Sequence, residues 1–262
     1  MSFIQIVLLG AIAGFTIYFG LPVGRIQAIG DKTRSFLSMA SAGILLFLLI
    51  DIFGNLSRPI TDALQQASSG KANYAGFFLL LIISLVGLGG GLIGLTLFEQ
   101  RFMRIRGPVD SVKSHTRLAL MIATGLGLHN FSEGLAIGQS AGRGEIAFAA
   151  LLIIGFGLHN ATEGFGIVGP LMGSKPSWGF LGLAGLVGGG PTFLGTMVGY
   201  YLLSTPMSVL FLSLAAGALL YILGELFHVA RRGEAKFQIG WGLFVGFVFA
   251  YLTDLVLIAA GV

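Results

Sequence analysis

Two segments of this chain write nearly the same line, GLGLHNFSEGLAIG from Gly125 to Gly138 and GFGLHNATEGFGIVG from Gly155 to Gly169. Each sets His-Asn-x-x-Glu-Gly inside an apolar run. Imidazole, carboxylate and amide oxygen together are donors that suit Zn²⁺, Fe²⁺, Mn²⁺, Co²⁺ or Ni²⁺. The chain contains no cysteine. That removes thiolate ligands, which weighs against Cu(I), and it rules out disulfides and a cysteine nucleophile.

The spacing is helical. His129 and Glu133 are four residues apart and share one helix face, and Asn130 and Glu133 are three apart. At about 100° per residue, Glu133 sits near 40°, between His129 at 0° and Asn130 near 100°. The same fan recurs at His159, Asn160 and Glu163. If the two segments form an antiparallel hairpin turning near Arg143 and Gly144, each histidine lies roughly 22 Å from the tip, at about 1.5 Å per residue. The copies then face each other at one depth, as two adjacent cation positions bridged by carboxylates.

The elements that must position them are membrane helices. Of 262 residues, 55% are hydrophobic and 10% are charged, far below the charged share of about a quarter usual in soluble domains. Apolar runs predict an all-α polytopic membrane protein of eight helices, over 3–24, 34–56, 75–98, 115–140, 145–169, 177–203, 206–230 and 237–261. These form one transmembrane domain, 1–262. The first run lacks a basic leader and is expected to be a span, not a cleaved signal. The polar segment from Ser57 to Tyr74 reads as an external loop. The 42 glycines suit close helix packing in lipid.

Basic residues orient the chain, because positively charged loops stay cytoplasmic. Arg25, Lys32 and Arg34, Arg101, Arg104, Arg106, Lys113 and Arg117, Lys175, and Arg231, Arg232 and Lys236 fall on one side, twelve of the fifteen. Arg58, Lys71 and Arg143 fall on the other. Both termini are therefore expected outside the cytoplasm. The net charge of +4 reflects this asymmetry, and no nucleic-acid partner is implied.

A single histidine or asparagine in a membrane helix is ordinarily an interhelical hydrogen-bonding residue. Two histidines and two carboxylates at matched depth are different, since each ionisable group costs about 2.5 kcal/mol or more inside the bilayer without compensation. Two anions held together in low dielectric call for a cation or proton between them. Further charges lie along a possible route. Asp51 and Asp254 fall towards the outer ends of helices two and eight, against the alternative of hydrogen-bonded or interfacial carboxylates. Glu225 and His228 fall towards the inner end of helix seven, against the alternative of a pair reaching for headgroups.

With LHNFSEG and LHNATEG on consecutive helices, the sequence resembles the ZIP (Zrt/Irt-like) divalent metal transporters. The resemblance implies eight helices with both termini outside and a binuclear metal site on helices four and five. It makes His129, Asn130, Glu133, His159, Asn160 and Glu163 the ligands. It also implies a homodimer in the plasma membrane, in which a bundle containing helices four and five slides against a scaffold and carries metal, zinc foremost, into the cytoplasm. The metal, Zn²⁺ or else Fe²⁺, Mn²⁺, Cd²⁺ or Co²⁺, is substrate, and no cofactor is expected. Glu225 takes the place of the family's acidic residue on helix seven. The chain departs from the family where Ser132 and Thr162 replace the proline of the motif. It departs again where Gly190-Pro191 replaces a Glu-Pro on helix six that helps bind the second metal.

Two other readings remain open on the residues themselves. His and Glu one turn apart also build intramembrane metalloenzyme centres, although the order His-Glu-x-x-His is absent. A metal-sensing receptor would need an output domain that these loops are too short to hold, and no ATP-binding loop is present.

Overall fold

The computed structural model describes residues 2–26, 30–102, 112–202, 204–230 and 236–259. Among them the chain is helix and turn without strand: α1 (Phe3–Phe15), α2 (Asp31–Ser68), α3 (Ala75–Phe102), α4 (Val112–Gly142), α5 (Ile146–Val168), α6 (Trp178–Tyr201), α7 (Thr205–Ala230) and α8 (Lys236–Ala259). Of the cations that orient the chain, Arg104, Arg106, Arg231 and Arg232 lie outside the described residues. All but α4 contain, or with α1 begin, a described stretch long and apolar enough to cross a membrane. The exception has a physical cause. α4 carries His129, Asn130, Ser132, Glu133 and Gln139, and all five are buried, since α4 is packed among α1, α5, α6 and α7. Its polarity is turned to protein instead of lipid, the arrangement intramembrane polar residues require.

Two elements differ from the sequence expectation. The first helix does not run to residue 24 as one α-helix. α1 stops at Phe15, and 3-10 turns cover Thr16–Phe19 and Leu21–Arg25, where Pro22 cannot donate a backbone hydrogen bond. The loop expected from Ser57 is instead a continuation of α2 to Ser68, with Pro59 inside it. Leu56, Ile60 and Ala63, four and then three residues apart, pack with Leu80, Ile83 and Val209. That helical stripe holds an otherwise polar segment in helix.

The helices sort into two groups. α1, α4, α5 and α6 pack mainly on one another, led by α4 on α6, and α2, α3, α7 and α8 form the second group, led by α2 on α8 and α3 on α7. α4 against α7 makes the main seam between them. Within the first group, glycine lets backbones meet. A Cβ at Gly134 would strike the Thr192 carbonyl, one at Gly138 the Thr196 carbonyl and one at Gly142 the Tyr200 carbonyl. From the other side, Gly195 and Gly199 meet the carbonyls of Phe131 and Leu135. Small residues every fourth position on both helices form a close-contact seam of the kind that replaces the hydrophobic effect in lipid.

The apolar core is uneven along the membrane normal. One large cluster joins both groups in the half holding the first turns of α4 and α6 and the last turns of α5 and α7, through Leu95, Leu118, Ile122, Ile167, Leu181, Ile222 and Leu226. In the opposite half the buried apolar residues divide. Ile6, Ile137 and Leu152 belong to α1, α4 and α5, whereas Leu56, Leu80 and Val209 belong to α2, α3 and α7. In the first of these halves an ion pair also crosses the seam, from Arg117 Nη2 of α4 to Glu99 Oε1 of α3 at 2.5 Å.

Gly138→Leu is expected to push α4 from α6 and to destabilise the protein by about 1–3 kcal/mol, seen as a lower melting temperature in detergent. Gly89→Ala, at a position with open space around it, should leave the melting temperature unchanged.

Candidate metal centre

α4 and α5 run antiparallel through a tight turn after Gly142, in which Gly144 adopts φ 82°, a left-handed conformation that glycine adopts without steric cost. The motif on α4 and the motif on α5 consequently meet near the middle of both helices. His129 Nε2 of α4 lies 3.3 Å from Glu133 Oε1, one turn on, and 3.9 Å from Glu163 Oε1 of α5. Asn130 Nδ2 donates to Glu163 Oε2 at 2.8 Å and to the backbone carbonyl of Gly188 on α6 at 3.0 Å. Asn160 Nδ2 donates to the carbonyl of Ala13 on α1 at 3.1 Å and stands within side-chain reach of Glu133. All of these side chains are buried.

The structure therefore brings together His129, Asn130, Glu133, Asn160 and Glu163. The side chain of His159 lies outside the described residues. Among the described residues no three His, Asp or Glu side chains stand in a ready-made coordination shell. His129 instead lies between the two carboxylates. Two anions in a buried setting are tolerable only with positive charge or protons close by, and the imidazole occupies that place. Glu133 Oε2, Asn130 Oδ1 and Asn160 Oδ1 are buried oxygens with no hydrogen-bond partner among the described residues. Together with His129 they make a donor set of one nitrogen and several oxygens, a composition that fits Zn²⁺ and its first-row neighbours.

Ser132 stands where the resembling family has proline. Its hydroxyl donates back to the His129 carbonyl at 2.6 Å, and α4 continues unbroken through the motif. Gly190 stands where that family has glutamate on helix six. α6 reaches the cluster with backbone, through the Gly188 carbonyl.

The accessory charges fall into two places. Asp51 on α2 is within electrostatic reach of His129 and Glu133, and its carboxylate accepts from Asn55 Nδ2 at 3.1 and 3.2 Å. Asp254 on α8 is in turn within electrostatic reach of Asp51, and both belong to the second group of helices. Glu225 on α7 lies elsewhere, within reach of Glu99, which pairs with Arg117. His228 is exposed at the end of α7.

Sequence reasoning missed Asn55, although its i+4 spacing from Asp51 is a readable signal. Arg117 lies in the fourth helix as expected, and its pairing with Glu99 was not foreseen. The carbonyls of Ala13 and Gly188 carry no side-chain signal at all.

The sequence is similar to known proteins. A family model described as ZIP Zinc transporter matches residues 105–254. The Zinc transporter ZupT of Lysinibacillus sphaericus (strain C3-41) is 27% identical over 150 residues, covering 49% of this chain and 52% of that protein. The match thus spans about half the length of the curated relative. Residues 105–254 are more than half of this chain, and they hold both copies of the His-Asn-x-x-Glu-Gly motif on a bundle of membrane-spanning helices; the chain belongs to the ZIP zinc transporter family.

Proposed function

We propose that this protein carries divalent transition-metal cations, zinc foremost, across the plasma membrane towards the cytoplasm, working as one membrane domain with both termini outside. The metal is bound by His129, Asn130, Glu133, His159, Asn160 and Glu163. The observation that carries this reading is the approach of two buried carboxylates, Glu133 from α4 and Glu163 from α5, to the same imidazole, His129. A cation entering between them exchanges its water for imidazole nitrogen and carboxylate oxygen and balances their charge. The partly desolvated ion is thereby stabilised at a depth where bare charge is costly.

Asp51 and Asp254 serve as the approach, and Glu225 and His228 as the exit. The uneven core supports a site that opens to one side at a time. The apolar cluster joining the two groups of helices, with the Arg117–Glu99 pair, closes the half next to Glu225. In the half beyond the cluster the apolar residues of the two groups do not merge. Rocking or sliding of one group against the other around a central site is the general way such carriers expose it alternately. The protein works as a homodimer, and the metal is its substrate.

Purified protein in liposomes should take up Zn²⁺ or Cd²⁺ down its gradient without ATP, and Glu133→Ala or Glu163→Ala should abolish uptake. Normal flux in both variants would overturn the proposal, and hydrolysis or oxygen consumption by metal-loaded protein without flux would favour an enzyme. Asp51→Asn should raise the half-saturating metal concentration severalfold with little change in the saturated rate, because an approach residue concentrates cations without forming the site. Uptake of Zn²⁺ in competition with Cd²⁺, Fe²⁺, Mn²⁺ and Co²⁺ should show cadmium as the strongest competitor.

A further inference from the structure

Asn130 is held by acceptors alone. A primary amide has two N–H protons and one oxygen, and Nδ2 of Asn130 faces the Glu163 carboxylate at 2.8 Å and the Gly188 carbonyl at 3.0 Å. The Gly188 carbonyl can only accept, and so does Glu163 as a carboxylate. An oxygen turned towards them would meet two oxygens at hydrogen-bond distance with no proton between, so the amide has one permitted orientation. Nδ2 points at α5 and α6, and Oδ1 points away from both. Asn130 is wholly buried, and its Oδ1 has no hydrogen-bond partner among the described residues. A buried acceptor left unsatisfied costs about 1–3 kcal/mol. Such an atom in a polar cluster is a candidate donor to an ion or to ordered water.

The second copy repeats the relation with a different helix. Asn160 Nδ2 donates to the Ala13 carbonyl at 3.1 Å, and its own buried Oδ1 is likewise without a partner among the described residues. The Ala13 oxygen lies at the last turn of α1 and also accepts from the Thr16 hydroxyl at 2.7 Å. Glycine lets α1 and α6, the two helices that supply these carbonyls, pack closely on each other. A Cβ at Gly14 would strike the Gly189 carbonyl of α6, and one at Gly188 would come within 2.9 Å of Ile17 and 3.1 Å of Ile167.

We propose that the Gly188 carbonyl of α6, and in the second copy the Ala13 carbonyl of α1, are positioning groups of the metal site. They take up the amide N–H protons so that Asn130 and Asn160 present Oδ1 to the cation as neutral donors. This rests on the metal-binding reading above. It explains how α6 takes part without a side-chain ligand at Gly190. It also explains the need for amides, since two neutral oxygens leave the charge of the site to its carboxylates, whereas an aspartate at 130 would set an anion against the Gly188 carbonyl and Glu163.

The test measures Zn²⁺ affinity of the full chain in detergent, by competition with a chromophoric chelator, and the visible spectrum of bound Co²⁺. Asn130→Ala and Asn130→Asp should both weaken Zn²⁺ binding about tenfold to a hundredfold, the range seen when the surroundings of a metal ligand are disturbed, and should alter the Co²⁺ bands. Gly188→Leu removes no ligand, yet its bulk exceeds what the methyl tips of Ile17 and Ile167 can yield, so it should shift the carbonyl and change both readouts in the same direction. Gly188→Leu combined with Ile17→Ala should restore them, a rescue that loss of fold would not give. If Asn130→Ala weakens binding while Asn130→Asp binds as tightly as the unaltered protein, the positioning role is overturned and the metal site stands. If Asn130→Ala binds normally, Asn130 is not at the metal and the site reading fails at that residue. Should Asn130→Asp not fold, an unchanged affinity and Co²⁺ spectrum in Gly188→Leu would overturn the proposal by itself.

Discussion

Two carboxylates buried within a membrane protein are the constraint around which this chain is arranged. Glu133 and Glu163 reach the interior from different helices, and each needs compensation that lipid cannot supply. His129 stands between them, and Asn130 ties α4 to the carboxylate of α5. Satisfying these groups requires α4 to be central, and a helix this polar tolerates that depth only with protein on its sides. α1, α5, α6 and α7 surround it accordingly.

The glycines follow from the same constraint. For α6 to offer a main-chain carbonyl to an asparagine on α4, the two helices must approach more closely than most side chains permit. The Gly134, Gly138, Gly142, Gly195 and Gly199 contacts achieve this. Contacts made through backbone are short and leave little slack, so the first group of helices is fitted to hold its polar cluster as a unit. The seam between the groups is of another kind, made of apolar side chains and the Arg117–Glu99 pair on one half. Side-chain contacts of this sort can be exchanged for others with less disturbance than a glycine-mediated backbone contact.

Much of the fold was legible because its signals are local. Apolar runs bounded by charge locate spans, and identical polar spacing thirty residues apart locates a hairpin with matched depths. Where expectation and structure differ, a longer-range partner decides the outcome. Residues Ser57–Ser68 look like a loop by composition and are helix because Leu56, Ile60 and Ala63 find Leu80, Ile83 and Val209. Arg117 reads only as a cation near the start of the fourth helix and is tied down by Glu99 on the preceding helix. Beyond the end of α1 the 3-10 turns pack on α5, where Gly20 lies against the backbone of Ala161 and Phe165.

By itself the sequence determined the helical class and the membrane setting, and it singled out His129, Asn130, Glu133 and their α5 counterparts as candidates for the site. Periodicity and hydropathy act within a single segment, so one segment suffices to read them. Only the tertiary structure decided which carboxylate faces which imidazole and which way each asparagine is turned. It also decided that α1 and α6 take part through carbonyl oxygens. Every residue carries a carbonyl, so its use at Ala13 or Gly188 leaves no mark in residue type and becomes visible only when a second helix is packed against it.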